Sequence, residues 1–160
     1  METPNPLRRD KEALLIKEAA LRKDATSNDT PLKGVRPNIV QSIRAFRVPE
    51  LQEAATRLNH HFLYACLGTA LTKQDILDMI AVQYTFPAHF GKNFDALFDC
   101  MTDLVHKAGN QPGFVVVLEQ IPANAKFDKE AREQLLDIFR DAADYWADRK
   151  IPFRCFYSFL

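Results

Sequence analysis

Three short, largely apolar runs constrain this chain more than any other feature: His61 to Leu67 (HFLYACL), Phe114 to Leu118 (FVVVL) and Phe153 to Phe159 (FRCFYSF). Runs of this length read as strands buried on both faces, and such strands belong to parallel sheets whose two faces are covered. Between them, apolar residues recur at helical spacing. Ile76, Leu77, Ile80 and Tyr84 share a face of one helix over Thr72 to Tyr84. Phe94, Leu97, Phe98, Met101, Leu104 and Val105 share a face of a second, capped by Asn93. Ala131, Leu135, Ile138, Phe139, Ala142 and Trp146 mark a long third helix capped by Asp128. Parallel neighbours need crossover connections, and these helices supply them. The pattern predicts an α/β domain.

The beginning of the chain reads differently. Ile39 to Val48 has weak strand character, and Pro49 at a first helical position opens a helix with Leu51, Ala54, Ala55 and Leu58 on one face. Asp10 could cap a short helix through Lys23, but the ATSNDTPLKGVRP that follows is turn formers and charge. Residues 1–37 are therefore expected to be a mobile, basic tail or linker, and residues 38–160 the domain.

The formal charge is zero, which argues against a general nucleic-acid coat or a membrane-surface protein. Residues 1–70 carry 11 Lys/Arg against 8 Asp/Glu and residues 71–160 carry 10 against 13, an asymmetry that suits a face made for a charged partner. The 3 cysteines, Cys66, Cys100 and Cys155, cannot all pair within one chain, and each lies in an apolar stretch. Reduced thiols and a cytoplasmic protein are expected, since no stretch has the length of a signal-peptide core or a membrane span.

Catalytic signatures are missing: no Walker loop, GxGxxG, GxSxG, CxxC or HExxH occurs, and 5 glycines leave little for a phosphate cradle. None of the 4 histidines, His60, His61, His89 and His106, stands at metal-ligand spacing from a suitable partner. No catalytic residue, metal or cofactor is expected. What does stand out is acid. Asp95, Asp99 and Asp103 follow at i, i+4 and i+8 on the second helix, on a face with Thr102, and Asp137, Asp141, Asp144 and Asp148 form a second stripe on the long helix. Either stripe alone also reads as a solvated face. Two such faces in a domain without catalytic parts point toward a cationic partner. Phe98 lies at the border of its apolar stripe beside Asp95, and with His89 and Phe90 in the preceding loop it has the anatomy of an interface hot spot.

The run Pro87-Ala88-His89-Phe90-Gly91-Lys92-Asn93-Phe94-Asp95-Ala96-Leu97-Phe98-Asp99-Cys100 resembles the signature of the barstar family, intracellular inhibitors of barnase-type ribonucleases. Gly91, Asn93, Asp95-Ala96-Leu97 and Asp99 match its core, and the order of elements fits from about His61 to Phe159. The resemblance implies a three-stranded parallel sheet flanked by helices; the strand and helix of residues 39–58 lie outside it and are expected to add a unit to that sheet. It implies a one-to-one complex with a small extracellular-type ribonuclease. In that complex His89 and Gly91 are loop contacts, and Asn93, Asp95, Phe98, Asp99 and Thr102 line the helix surface. Asp99 takes the place of a substrate phosphate, and Asp141 of Phe139-Arg140-Asp141 is a flanking acid. His89 stands where Tyr is common, Phe98 where Trp is common, and Lys92 where the family has an acid.

The chemistry is coherent. A ribonuclease must hold a polyanion, so carboxylates offered to its Arg- and Lys-lined cleft use charge-assisted hydrogen bonds that the enzyme already provides. Long-range attraction also speeds capture of an enzyme that is lethal inside the cell. Two other readings stay open: an interaction module with a non-nuclease partner, and a phosphodiesterase holding a divalent cation on Asp95, Asp99 and Asp103.

Overall fold

The computed structural model describes residues 30–104 and 111–160. The elements run β1 (Ile39–Ser42), α1 (Val48–Leu58), β2 (His61–Cys66), α2 (Lys73–Gln83), α3 (Phe94–Met101), β3 (Phe114–Ile121), α4 (Lys129–Asp148) and β4 (Phe153–Phe159). The strands form one parallel sheet in the order β1-β4-β3-β2. The α/β class and the parallel sheet are as expected.

The sheet has four strands and not three, because the expected N-terminal addition joins it. The fourth is β1, which pairs with β4 from Ile39 opposite Arg154 to Ser42 opposite Tyr157. Without it β4 would present a row of unpaired N–H and C=O groups at the sheet edge. Asn38, in the left-handed region at φ 57°, fastens the new strand: its side-chain amide donates to the carbonyls of Ala143 and Ile151, both at 3.0 Å.

Alternation along β3 divides the core. Phe114, Val116 and Leu118 face the layer built by α2, α3 and α4, while Val115 and Val117 face Leu51, Ala54 and Ala55 of α1. All five are fully buried, because both sides of the sheet are covered. Leu32 joins the α1 side with no exposed surface, and Val35 packs beside it. Leu32 and Val35, expected in the linker, therefore pack on the domain. A single leucine among turn formers has no periodicity to announce it, and the sheet face left open beside α1 is what buries it. The expected helix from Asp10 to Lys23 lies outside the described residues, as do Val105 and His106.

Local chemistry sets the helix ends. Thr72 and Asp75 form a reciprocal capping box at α2, and Asp128 accepts from the Ala131 N–H at 2.9 Å to start α4. Helix α1 begins one residue earlier than expected, at Val48, so Pro49 is its second residue. At the far edge of the sheet, the Gln83 side chain accepts from the Cys66 N–H at 2.8 Å and donates to the Cys66 carbonyl at 3.0 Å. None of Cys66, Cys100 and Cys155 is in a disulfide.

Candidate functional site

The loop between α2 and α3 is held from below by aromatic rings. Tyr84 is buried, its hydroxyl donating to the Val117 carbonyl at 2.8 Å, and its ring meets Phe86 at 5.9 Å. Phe86 in turn meets Phe90 at 5.3 Å, and the Phe90 N–H closes a turn onto the Pro87 carbonyl at 3.0 Å. Phe90 points inward and His89 is exposed. Two non-glycine residues in the left-handed region, Thr85 at φ 55° and Lys92 at φ 52°, bracket the loop. Gly91 lies against the first turn of α3, where an added Cβ would come within 3.3 Å of the Ala96 side chain. Its absent side chain is what lets the loop approach the helix.

Asn93 then starts α3. Its side-chain oxygen accepts from the Ala96 N–H at 2.7 Å and its amide donates to the Gly91 carbonyl at 3.3 Å, so the same group caps the helix and ties down the loop. Leu97 and Met101 are buried, and Phe94, Ala96 and Cys100 pack on the core. Phe98 is half-buried outside that cluster, at the border its position in the sequence indicated. Asp95 and Asp99 are exposed one turn apart, with no ion pair among the described residues. Asp95 lies in the first turn, where the helix dipole favours a carboxylate.

The helix ends at Met101. The Thr102 hydroxyl is shared between the carbonyls of Phe98 at 2.9 Å and Asp99 at 3.2 Å. Asp103 lies in the turn beyond, its N–H on the Cys100 carbonyl at 3.2 Å. The expected three-acid helix face is thus corrected to two helical acids with a third in the following turn. A carboxylate at a helix C-terminus is opposed by the partial negative charge of the free carbonyls, and the Thr102 hydroxyl competes for two of them.

Lys92 does not stand alone at the lip of this surface. Its ammonium lies 3.3 Å from the Asp78 carboxylate of α2, both side chains about half exposed. On α4, Asp137, Asp141, Asp144 and Asp148 are all exposed, but they are not equivalent. Arg140 reaches Asp137 at 2.7 Å and Glu133 at 3.6 Å, whereas Asp141 has no ion pair among the described residues. Helices α3 and α4 pack together, joined by the Trp146 indole N–H donating to the Met101 carbonyl at 3.0 Å. His89, Gly91, Asn93, Asp95, Phe98, Asp99 and Thr102 therefore sit on one pinned loop-helix unit, and Asp141 stands on the helix that buttresses it. The Lys92–Asp78 pair and the Trp146 anchor had no sequence signal, since each joins side chains that only the tertiary fold brings together.

Two of the remaining histidines are framework. Burial, with the charge of Arg154 adding to it, lowers His60 to about 4, and burial also pushes His61 down. The His61 ring meets Phe114 edge-on at 6.2 Å. Among the described residues, no three or more His, Cys, Asp or Glu side chains gather as metal ligands. No described helix is long and apolar enough to cross a membrane.

Comparison with protein families finds that the model for Barstar (barnase inhibitor) matches residues 60–158. A comparison with curated proteins finds no match.

Proposed function

The chain belongs to the barstar family, and from that premise we propose that it is a cytoplasmic, non-catalytic inhibitor of a small, barnase-like, extracellular-type ribonuclease, acting in a one-to-one complex. The observation that carries this reading is the pair Asp95 and Asp99, exposed and with no ion pair among the described residues, on either side of the half-buried Phe98. Carboxylates with no internal partner give up only water on docking. The cations of a ribonuclease cleft replace that water with charge-assisted hydrogen bonds, so Asp99 stands where a substrate phosphate would.

The neighbouring residues have distinct parts. His89 contacts the enzyme from the loop, and Gly91 lets the loop lie close enough to α3 for both to be used. Asn93 positions the two through its cap, Thr102 ends the helix beside Asp99, and Asp141 flanks from α4. Lys92 opposes a cationic enzyme less than its charge alone implies, because Asp78 lies beside it. The acidic surface also steers the encounter, which suits an immunity protein that must act before its target meets cellular RNA.

The test mixes purified chain with a panel of barnase-type ribonucleases and follows RNA cleavage. The expected result is loss of cleavage of at least one enzyme at equimolar inhibitor, with no cleavage by the chain alone. A chain that captures another partner and inhibits none of them would instead be a general interaction module.

A further inference from the structure

Arg154 is the one charged side chain that the fold buries among the described residues, with 4% of the residue exposed. It lies in the middle of the sheet, opposite Ile39 of β1 and Val115 of β3. Phe153 and Cys155 face the layer of α2, α3 and α4, so alternation puts Arg154 on the α1 side together with Phe156. Its hydrogen bonding is poor for a buried cation. One Nη2 N–H donates to the Val35 carbonyl at 3.4 Å, the Nε N–H has no partner, and no carboxylate pairs with the guanidinium among the described residues.

A second orphan lies beside it. His60 Nδ1 is buried without a hydrogen-bond partner. The His60 ring rests against Gly113, where an added Cβ would come within 2.5 Å of Nε2, so the bare glycine makes room for it at the start of β3. The two groups are near enough for the charge of Arg154 to add to burial in holding His60 in its neutral form. Buried charges are ordinarily paired, because an unpaired one gives up its water for nothing. Here an unpaired guanidinium and an unpaired imidazole nitrogen stand together on the face of the sheet away from α3.

We propose that Arg154 and His60 form a binding site for a small oxyanion of the phosphate or sulfate class, with Arg154 Nε and His60 Nδ1 each donating to one of its oxygens. An anion supplies the missing countercharge, whereas a cation or an apolar group would leave both donors empty. The Nε and Nη2 edge of a guanidinium offers two parallel N–H groups, a fork that matches two oxygens of one such ion. His60 serves as a neutral donor when its ring proton sits on Nδ1. It is half-buried, so it borders solvent and gives the ion a way to the guanidinium. A bound oxyanion would also fasten β4 to the turn that carries Val35, the last piece of the N-terminal addition before β1. The site is separate from the surface under Proposed function and stands or falls without it.

The experiment titrates sodium sulfate into the full chain at constant ionic strength, with chloride as the balancing anion, and follows the His60 ring and the Arg154 Nε N–H by NMR. Saturable shifts of both are expected with sulfate and not with chloride. A bound anion favours the charged imidazole, so the His60 titration should move upward from about 4 when sulfate is present. Arg154→Lys keeps the charge and loses the fork, and should weaken sulfate binding about tenfold. Arg149→Gln, which removes an exposed arginine stacked on Tyr145, should leave it unchanged. No saturation, an equal response to chloride, or the same loss in Arg149→Gln as in Arg154→Lys would overturn the proposal. Should Arg154→Lys fail to fold, the native chain decides alone: a His60 titration that sulfate does not move would mean that the two donors meet only water.

Discussion

The Trp146 indole N–H donates to the Met101 carbonyl at 3.0 Å, so the last turn of the helix that carries Asp95 and Asp99 hangs on a side chain of α4. Both groups are buried. A buried carbonyl that loses its donor costs about 1–3 kcal/mol. Trp146→Phe should lower the unfolding free energy by that amount, read as a lower urea midpoint at unchanged slope. An unchanged midpoint would mean that another donor reaches the carbonyl.

Asp99→Ala tests whether the exposed acids of α3 differ from those of α4. Truncating one member of a charge pair desolvated in a complex costs about 2–5 kcal/mol, mostly as faster dissociation. Asp148, far along α4, should alter only the association rate, by an amount that fades as salt screens it. Stopped-flow kinetics of both variants at two salt concentrations reads the difference. Equal, salt-sensitive effects at the two positions would reduce α3 to a solvated face.

Leu32 lies outside the family-matched residues yet is fully buried against the α1 side of the sheet. Leu32→Ala should cost about 2–5 kcal/mol, the range for emptying a buried leucine site. Deleting residues 1–37 should destabilise the domain at least as much. Equilibrium unfolding of both variants is the check, and an unaltered transition would show that the site collapses without cost.

Acid should weaken the fold through His60. Its ordinary value is near 6.5 and in the folded protein it is lowered to about 4, so between those limits the unfolded chain takes up a proton that the folded chain does not. Stability from this group is complete above about pH 6.5 and is lost as pH falls toward 4; His61 acts in the same direction. Melting temperatures of the native chain should fall across this window more steeply than those of His60→Gln. Parallel curves would assign the acid sensitivity to other groups.

Where the sequence carried its own signal, the elements were legible. FVVVL is apolar at every position because β3 is covered on both faces, and Asn93 and Asp128 announce their helices through the side-chain oxygens that cap them. The candidate surface was legible for the same reason: Phe98 at the stripe border is half-buried, and Asp95 and Asp99 are exposed one turn apart. What could not be read was set by tertiary partners. Strand β1 has 4 half-buried residues and no clear period, Leu32 is buried by elements far away in sequence, and Asp103 leaves the helix only because α3 ends two residues before it.

The bond pair between Gln83 and Cys66 bears on how this protein behaves at high concentration. The register of β2 with β3 turns the N–H and C=O of Leu63 and Ala65 inward and leaves those of Cys66 on the open side of the sheet. There the Gln83 amide accepts from one and donates to the other, as the backbone of an added strand would. A side chain of the protein's own thus fills the rung at which a second molecule could begin to pair, and the open edge is closed to an added strand where β2 ends.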